Sequence, residues 1–280
     1  MTSADDVERG RPETTGGEAD AGAEVEVPGE PEDVWRAIAT DDGTASWQFR
    51  TEIEGREGGT IVIRRRPFGP DAEAVITAWD PPRRLAYEEP LGPDAPVLAT
   101  EYLVTARGDG TCVVRVVSSL AGDDGGWEDL VEGATEGWRM ALIVLRSYLT
   151  HFAGRRAATL DTIVTVDRPL SDSAAVFAAV MRPLGVESPA TASSPFRSHD
   201  GAPPLVGTVE HLTAGYALLR STEPSPALFA ISAFPMDGVT LSVNVCGRFY
   251  GPDGPASAAR EQRRWDAWLP ARLPVRLKEA

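Results

Sequence analysis

The sequence predicts an α+β fold: a curved antiparallel sheet around a long C-terminal helix, followed by a smaller α+β domain that echoes the first. Three observations predict it. Residues 127–152 read as one amphipathic helix. Trp127, Leu130, Val131, Ala134, Trp138, Ala141, Leu142, Leu145, Tyr148, Leu149 and Phe152 fall within a stripe of roughly 120°. Several strand-like segments joined by short turns precede that helix. After Gly154 a strand, a helix, more strands and a Trp-bearing helix follow in the same order.

The elements follow from local signals. Ala23 to Val27 alternates and ends at Pro28-Gly29, a strand and a turn. Pro31-Glu32-Asp33 opens a helix, with Pro at an early position and acids near the positive end of its dipole. Val34, Trp35, Ala37 and Ile38 give that helix an apolar face, and Asp41-Asp42-Gly43 is expected to break it. Strands are expected at about 48–54, 60–66, 72–79, 84–89, 97–106 and 111–119. Gly58-Gly59, Pro67 to Pro70, Asp80-Pro81-Pro82, Leu91-Gly92-Pro93 and Gly108-Asp109-Gly110 supply the turns between them. Strands joined so closely pair antiparallel.

Leu160 to Val166 alternates as the first strand of the second half. Ser171 is placed to cap a helix carrying Val176, Phe177, Ala179 and Val180. Residues 183–203, rich in Pro, Ser, Ala and Gly, read as a long loop. Strands at about 204–210, 214–220, 227–234 and 239–249 precede a helix over 256–269 that carries Trp265, Trp268 and Leu269 and ends at Pro270. Two readings of this half stay open: a degenerate copy of the first, or an unrelated α+β appendage. The expected limits are a disordered tail over 1–22 and domains over 23–153 and 160–275.

Composition narrows the function. The formal net charge of −15 argues against a nucleic-acid surface, which needs a basic stripe. Residues 1–24 hold seven acidic residues and two arginines, too few apolar groups to offset the entropy of ordering. No signal-peptide core and no run of ~18 apolar residues occurs, so a cytoplasmic protein without a membrane span is expected. Cys112 and Cys246 stand far apart, and His151, His199 and His211 show no ligand spacing. No metal or other cofactor is expected, and no nucleophile–base arrangement is legible.

The first half resembles the SRPBCC (START-like) superfamily, and within it the branch named after the activator of the heat-shock chaperone ATPase. The motifs stand in order over residues 23–152: Glu32-Asp33-Val34-Trp35-Arg36-Ala37-Ile38, Trp47, Gly58-Gly59, Asp80-Pro81-Pro82-Arg83-Arg84-Leu85-Ala86-Tyr87, Gly110-Thr111 and Gly137-Trp138 through Leu145. The second half lacks the glycine pair and the Asp-Pro-Pro-Arg turn. The resemblance implies a helix-grip fold with space for an apolar molecule between helix and sheet. It implies binding of a small hydrophobic or aromatic ligand, with cyclase or dehydratase chemistry on a polyketide-like substrate as the enzymatic variant. The alternatives are a co-chaperone-like module that contacts a protein partner and holds no ligand, and a structural or regulatory module. The family has no universal catalytic residue, so none is assigned.

A ligand cavity is apolar with a few directed polar groups. The expected wall is Trp47, Phe49, Tyr87, Tyr102, Arg115, Trp127, Val131, Trp138 and Leu142. Trp127 and Trp138 belong equally to a packed core. Glu89, Glu101 and Arg115 lie on expected strands, where an inward charge must be paired. An inward Glu with a raised pKa would be a general acid or base, and Arg115 would hold a carboxylate. Arg64-Arg65-Arg66 reads as solvated surface.

Overall fold

The computed structural model describes residues 18–92, 97–121, 128–187, 190–235 and 240–274. The chain divides into two units between Gly154 and Arg155.

In the first unit, β1 (Glu18–Pro28) leads into α1 (Pro31–Ile38) and α2 (Asp41–Ala45). A meander follows: β2 (Arg50–Ile53), β3 (Thr60–Arg64), β4 (Ala72–Asp80), β5 (Arg84–Pro90), β6 (Val97–Ala106) and β7 (Thr111–Ala121). The long helix α3 (Glu128–His151) closes the unit. The seven strands form one antiparallel sheet in the order β1-β7-β6-β5-β4-β3-β2, and α3 packs on β1. Strand alternation sorts the side chains by face. Cys112, Val114, Val116, Ser118 and Leu120 of β7 point inward and are buried, as are Ala21, Ala23, Val25 and Val27 of β1. Leu142, Leu145, Tyr148, Leu149 and Phe152 of the helical stripe are buried as well.

Two expectations are corrected here. The strand β1 begins at Glu18, inside the segment expected to be disordered, because Glu18 to Gly22 pair in register with Ala121 to Val117. Asp41-Asp42-Gly43 does not simply break a helix; it forms the first turn of α2. Thr40 caps that turn, its hydroxyl accepting from the Gly43 amide at 3.1 Å. Gly43 is needed for close approach: a Cβ there would lie 1.9 Å from the Arg36 carbonyl oxygen.

The second unit runs β8 (Ala157–Thr165), α4 (Ser173–Met181), β9 (Pro195–Arg197), β10 (Val206–Leu212), β11 (Tyr216–Glu223), β12 (Ala227–Pro235), β13 (Leu241–Tyr250) and α5 (Gly254–Arg272). Its sheet order is β8-β13-β12-β11-β10-β9. The rule is that of the first unit: the opening strand pairs with the last, and the rest follow in reverse. The second unit therefore repeats the first, one strand shorter.

Its core is packed by aromatic rings. Trp265 is fully buried, with ring centroids 5.9 Å from Phe229 and 5.4 Å from Trp268. Gln262 of α5 binds the backbone of β8 through its amide. Its Oε1 accepts from the Asp161 N–H at 3.1 Å, and its Nε2 donates to the Asp161 carbonyl at 3.2 Å.

Three local signals misled here. The expected loop over 183–203 contains β9, and a 3-10 turn, Arg182–Leu184, overlaps its start. Ser171 lies within a 3-10 turn, Leu170–Asp172, and Asp172 takes the N-cap position without a side-chain bond. Pro270 sits inside α5, within the last turn. A proline there removes only one late hydrogen bond, so the helix can run to Arg272.

Candidate functional site

Three adjacent strands build a polar row on the concave face of the first sheet. Alternation turns Tyr87 of β5, Thr100 of β6 and Ser118 of β7 inward, and register sets Tyr87 opposite Thr100 and Thr100 opposite Ser118. The neighbouring row carries Leu85, Tyr102 and Val116. All six side chains are buried. The polar ones are joined. Thr100 Oγ1 and Ser118 Oγ lie 3.0 Å apart, and the Tyr87 hydroxyl is electrostatically linked to Thr100 and to Tyr102. From α3, Trp138 Nε1 donates to Ser118 Oγ at 2.9 Å, and its ring stands edge-on to Tyr102 with centroids 5.6 Å apart. Leu142, one turn further along α3, is fully buried.

Beside this row lies an ion pair. Glu89, two residues beyond Tyr87 and thus on the same face, is 3% exposed. The Arg65 guanidinium grips it with both terminal nitrogens, at 2.6 Å and 2.5 Å. This is the bidentate geometry that suits arginine to carboxylates. Arg65 is therefore not the solvated charge expected of the Arg64-Arg65-Arg66 run; Arg64 and Arg66 are the exposed members.

Burial dominates the electrostatics of the phenols. It pushes the Tyr87 hydroxyl up to about 12, against a downward pull from Thr100 and from Arg65. Burial and the neighbouring Tyr87 raise Tyr102 well above its ordinary value. Both are hydrogen-bond donors at any physiological pH. The sign for stability follows. A group whose folded pKa is raised supports the fold fully below its unfolded value near 10.0 and loses that support as pH rises toward about 12. Stability of this unit is expected to fall as pH climbs through that window, and Tyr87→Phe should weaken the fall. Tyrosinate absorbance together with urea unfolding at stepped pH checks this; a titration at the ordinary value would contradict the burial.

The structure thus brings together Tyr87, Tyr102, Trp138 and Leu142. Trp47 is buried, but its indole Nε1 donates to the Ala37 carbonyl at 2.9 Å, tying its segment to α1. Phe49 is half-buried and faces Phe68 at 6.3 Å. Trp127 and the Val131 side chain lie outside the described residues. Arg115 does not line the concave face; it is exposed on the convex one, because inward Val114 and Val116 flank it. Glu101 also lies on the convex face, paired with Arg84 at 2.6 Å. Ser118, Thr100 and Arg65 were missed as site residues, whereas Glu89 is one of the strand charges expected to need a partner if inward, and Arg65 is that partner. The signal that could have found Ser118 and Thr100 was period-two alternation, counted outward from Val116 and Tyr102.

Among the described residues, no group of three His, Cys, Asp or Glu side chains is placed to hold a metal, and no helix is long and apolar enough to cross a membrane.

Comparison with known proteins gives one family match: residues 18–141 fit the model described as polyketide cyclase / dehydrase and lipid transport. No curated protein matches the chain. Solved structures similar to it include the di-domain ARO/CYC BexL from the BE-7585A biosynthetic pathway, at 15% identity and a TM-score of 0.45, covering 92% of this chain and 99% of that one. CalU16 from Micromonospora echinospora is similar at 22% identity and 0.44, covering 55% and 80%. The Aha1 dimer from Colwellia psychrerythraea is similar at 18% and 0.40, covering 48% and 98%. Likenesses at these scores carry no weight for function.

Proposed function

We propose that the N-terminal unit, whose residues 18–141 match the polyketide cyclase / dehydrase and lipid transport model, binds a small apolar or aromatic molecule between α3 and the concave sheet face. The observation that carries this reading is the group of buried hydroxyls of Ser118, Thr100, Tyr87 and Tyr102 on a face that is apolar apart from them and the Arg65–Glu89 pair beside them. A core formed for stability alone gains little from four buried hydroxyls, whereas a binding face needs a few directed polar groups among apolar ones. Trp138 reaches this row from the helix and is half-buried, the placement of a wall residue.

The finer reading is cyclisation or dehydration of a polyketide-like substrate. Such a step would draw on groups of the concave face, Tyr87, Tyr102 and Glu89. Glu101 and Arg115 are turned the other way and drop out as acid, base or carboxylate holder.

The test is native mass spectrometry of the full chain purified from its own host. Wild type is expected to retain an apolar adduct, and Trp138→Ala to lose most of it. A wild type that never carries an adduct, or a variant that carries as much, counts against ligand binding.

A further inference from the structure

Helix α5 of the second unit carries a charge arrangement that its packing does not use up. Glu261 shares the core-facing stripe of α5 with Ala258 and Trp265 and is 0% exposed. Its Oε1 accepts from two guanidiniums of the same helix. Arg260 Nε donates at 3.1 Å and Arg264 Nη1 at 2.8 Å. Arg260 also donates through Nη2 to Ser257 Oγ at 3.3 Å. Glu261 Oε2 is buried without a hydrogen-bond partner. As a stabilising device this is poor, because an apolar residue serves a buried position at least as well. What the carboxylate does achieve is placement. Two cations that would otherwise repel are drawn to one oxygen and held side by side.

The guanidiniums are anchored but not consumed. Each carries five N–H donors. Arg264 spends one nitrogen on Glu261, which leaves its Nε–Nη2 edge, a fork suited to an oxyanion, without a partner among the described residues. Arg260 keeps Nη1. Both side chains reach solvent, at 41% and 46% exposed. Arg263 is exposed too, pairs with no carboxylate among the described residues, and at helical spacing lies beside Arg260. Three arginines and one glutamate leave two positive charges on this side of α5. The rest of the unit does not swamp them. Of the 42 acidic residues 30 precede Arg155, while the 27 basic ones divide 14 to 13.

We infer that Arg260, Arg263 and Arg264 form an anion site on the exposed side of α5 that takes the phosphate group of a small phosphate monoester. The dianion matches the two charges left over, and its three terminal oxygens can each accept from a guanidinium. The site belongs to the second unit and does not depend on the ligand-binding reading of the first.

Methyl phosphate, methyl sulfate and acetate test it on the full chain at low salt, well above the second phosphate pKa near ~6. The arginine Nε–H signals in two-dimensional NMR are the readout. Methyl phosphate is expected to bind about tenfold tighter than either monoanion and to shift the Arg264 signal most. In Arg260→Lys/Arg264→Lys, which keeps both charges facing Glu261 but lacks the fork, its affinity should fall about tenfold. Arg263→Met alters a side chain with no partner to lose, so the fold is kept, and it should weaken methyl phosphate about threefold, the scale of one exposed charge contact. Arg83→Met, which removes an exposed charge from the first unit, should change nothing. No saturable shift at Arg264, methyl sulfate held as tightly as methyl phosphate, or undiminished binding in the lysine or the Arg263 variant overturns the inference. So does an equal loss in Arg83→Met, which would mean that overall charge and not this site attracts the anion.

Discussion

Replacing Arg65 by methionine is expected to destabilise the N-terminal unit by about 3 kcal/mol, the lower end of what breaking a buried ion pair costs. The loss comes from what stays behind. Glu89 is 3% exposed and would keep its charge in an apolar place with neither of its guanidinium bonds. The lower end applies because the Arg65 side chain is 28% exposed, so water reaches part of the pair. The double variant Arg65→Met/Glu89→Leu should recover most of the loss, since it removes both charges and keeps the volume. Arg84–Glu101 is the control. It is as short, at 2.6 Å, but its side chains are 52% and 31% exposed. Breaking it should cost less than about 1 kcal/mol. Urea unfolding of the four proteins decides; equal effects from the two pairs would mean that burial is not what makes Glu89 depend on Arg65.

In the second unit the largest effect is expected from Trp265→Ala, about 3–5 kcal/mol. The indole is fully buried against Phe229 and Trp268, and its removal leaves a cavity that a close-packed core cannot refill. One feature moderates the loss: Trp265 Nε1 is buried without a hydrogen-bond partner, so the variant also sheds an unsatisfied donor. Trp138 holds the comparable place on the first grip helix, but it is half-buried and its N–H is bonded to Ser118. Trp138→Ala should cost markedly less stability. Melting of both variants by circular dichroism checks the ranking; if Trp138→Ala proves the more damaging, the two tryptophans have been assigned the wrong way round.

Much of this fold was legible because its signals are periodic. Eleven apolar positions at helical spacing marked α3, and turn residues between alternating segments marked the strands β3 to β7. The repeat was legible as an order of elements, and the shared strand order confirms it. Signals of a single residue fared worse. Gly43 resembles a helix breaker, yet it is there to let α2 approach α1. Pro270 resembles a terminator, yet it falls where its missing N–H matters little. The site was half legible. Tyr87, Tyr102 and Trp138 stood out as large and amphipathic. Ser118 and Thr100 are small, and only register shows that they meet. The Arg65–Glu89 pair spans 24 residues of sequence, and nothing local to either partner reports the other.

The Gln262 amide has a consequence for how this protein behaves in a crowded solution. β8 is the outermost strand on one side of its sheet, and an outermost strand offers unpaired N–H and C=O groups to any extended chain that drifts past. By bonding both groups of Asp161, Gln262 puts a side chain where a foreign strand would have to dock. At the opposite side the sheet ends in β9, only three residues long and opened by Pro195. A short strand with a proline makes a poor template. The second unit thus guards its sheet at both margins against aggregation by strand addition.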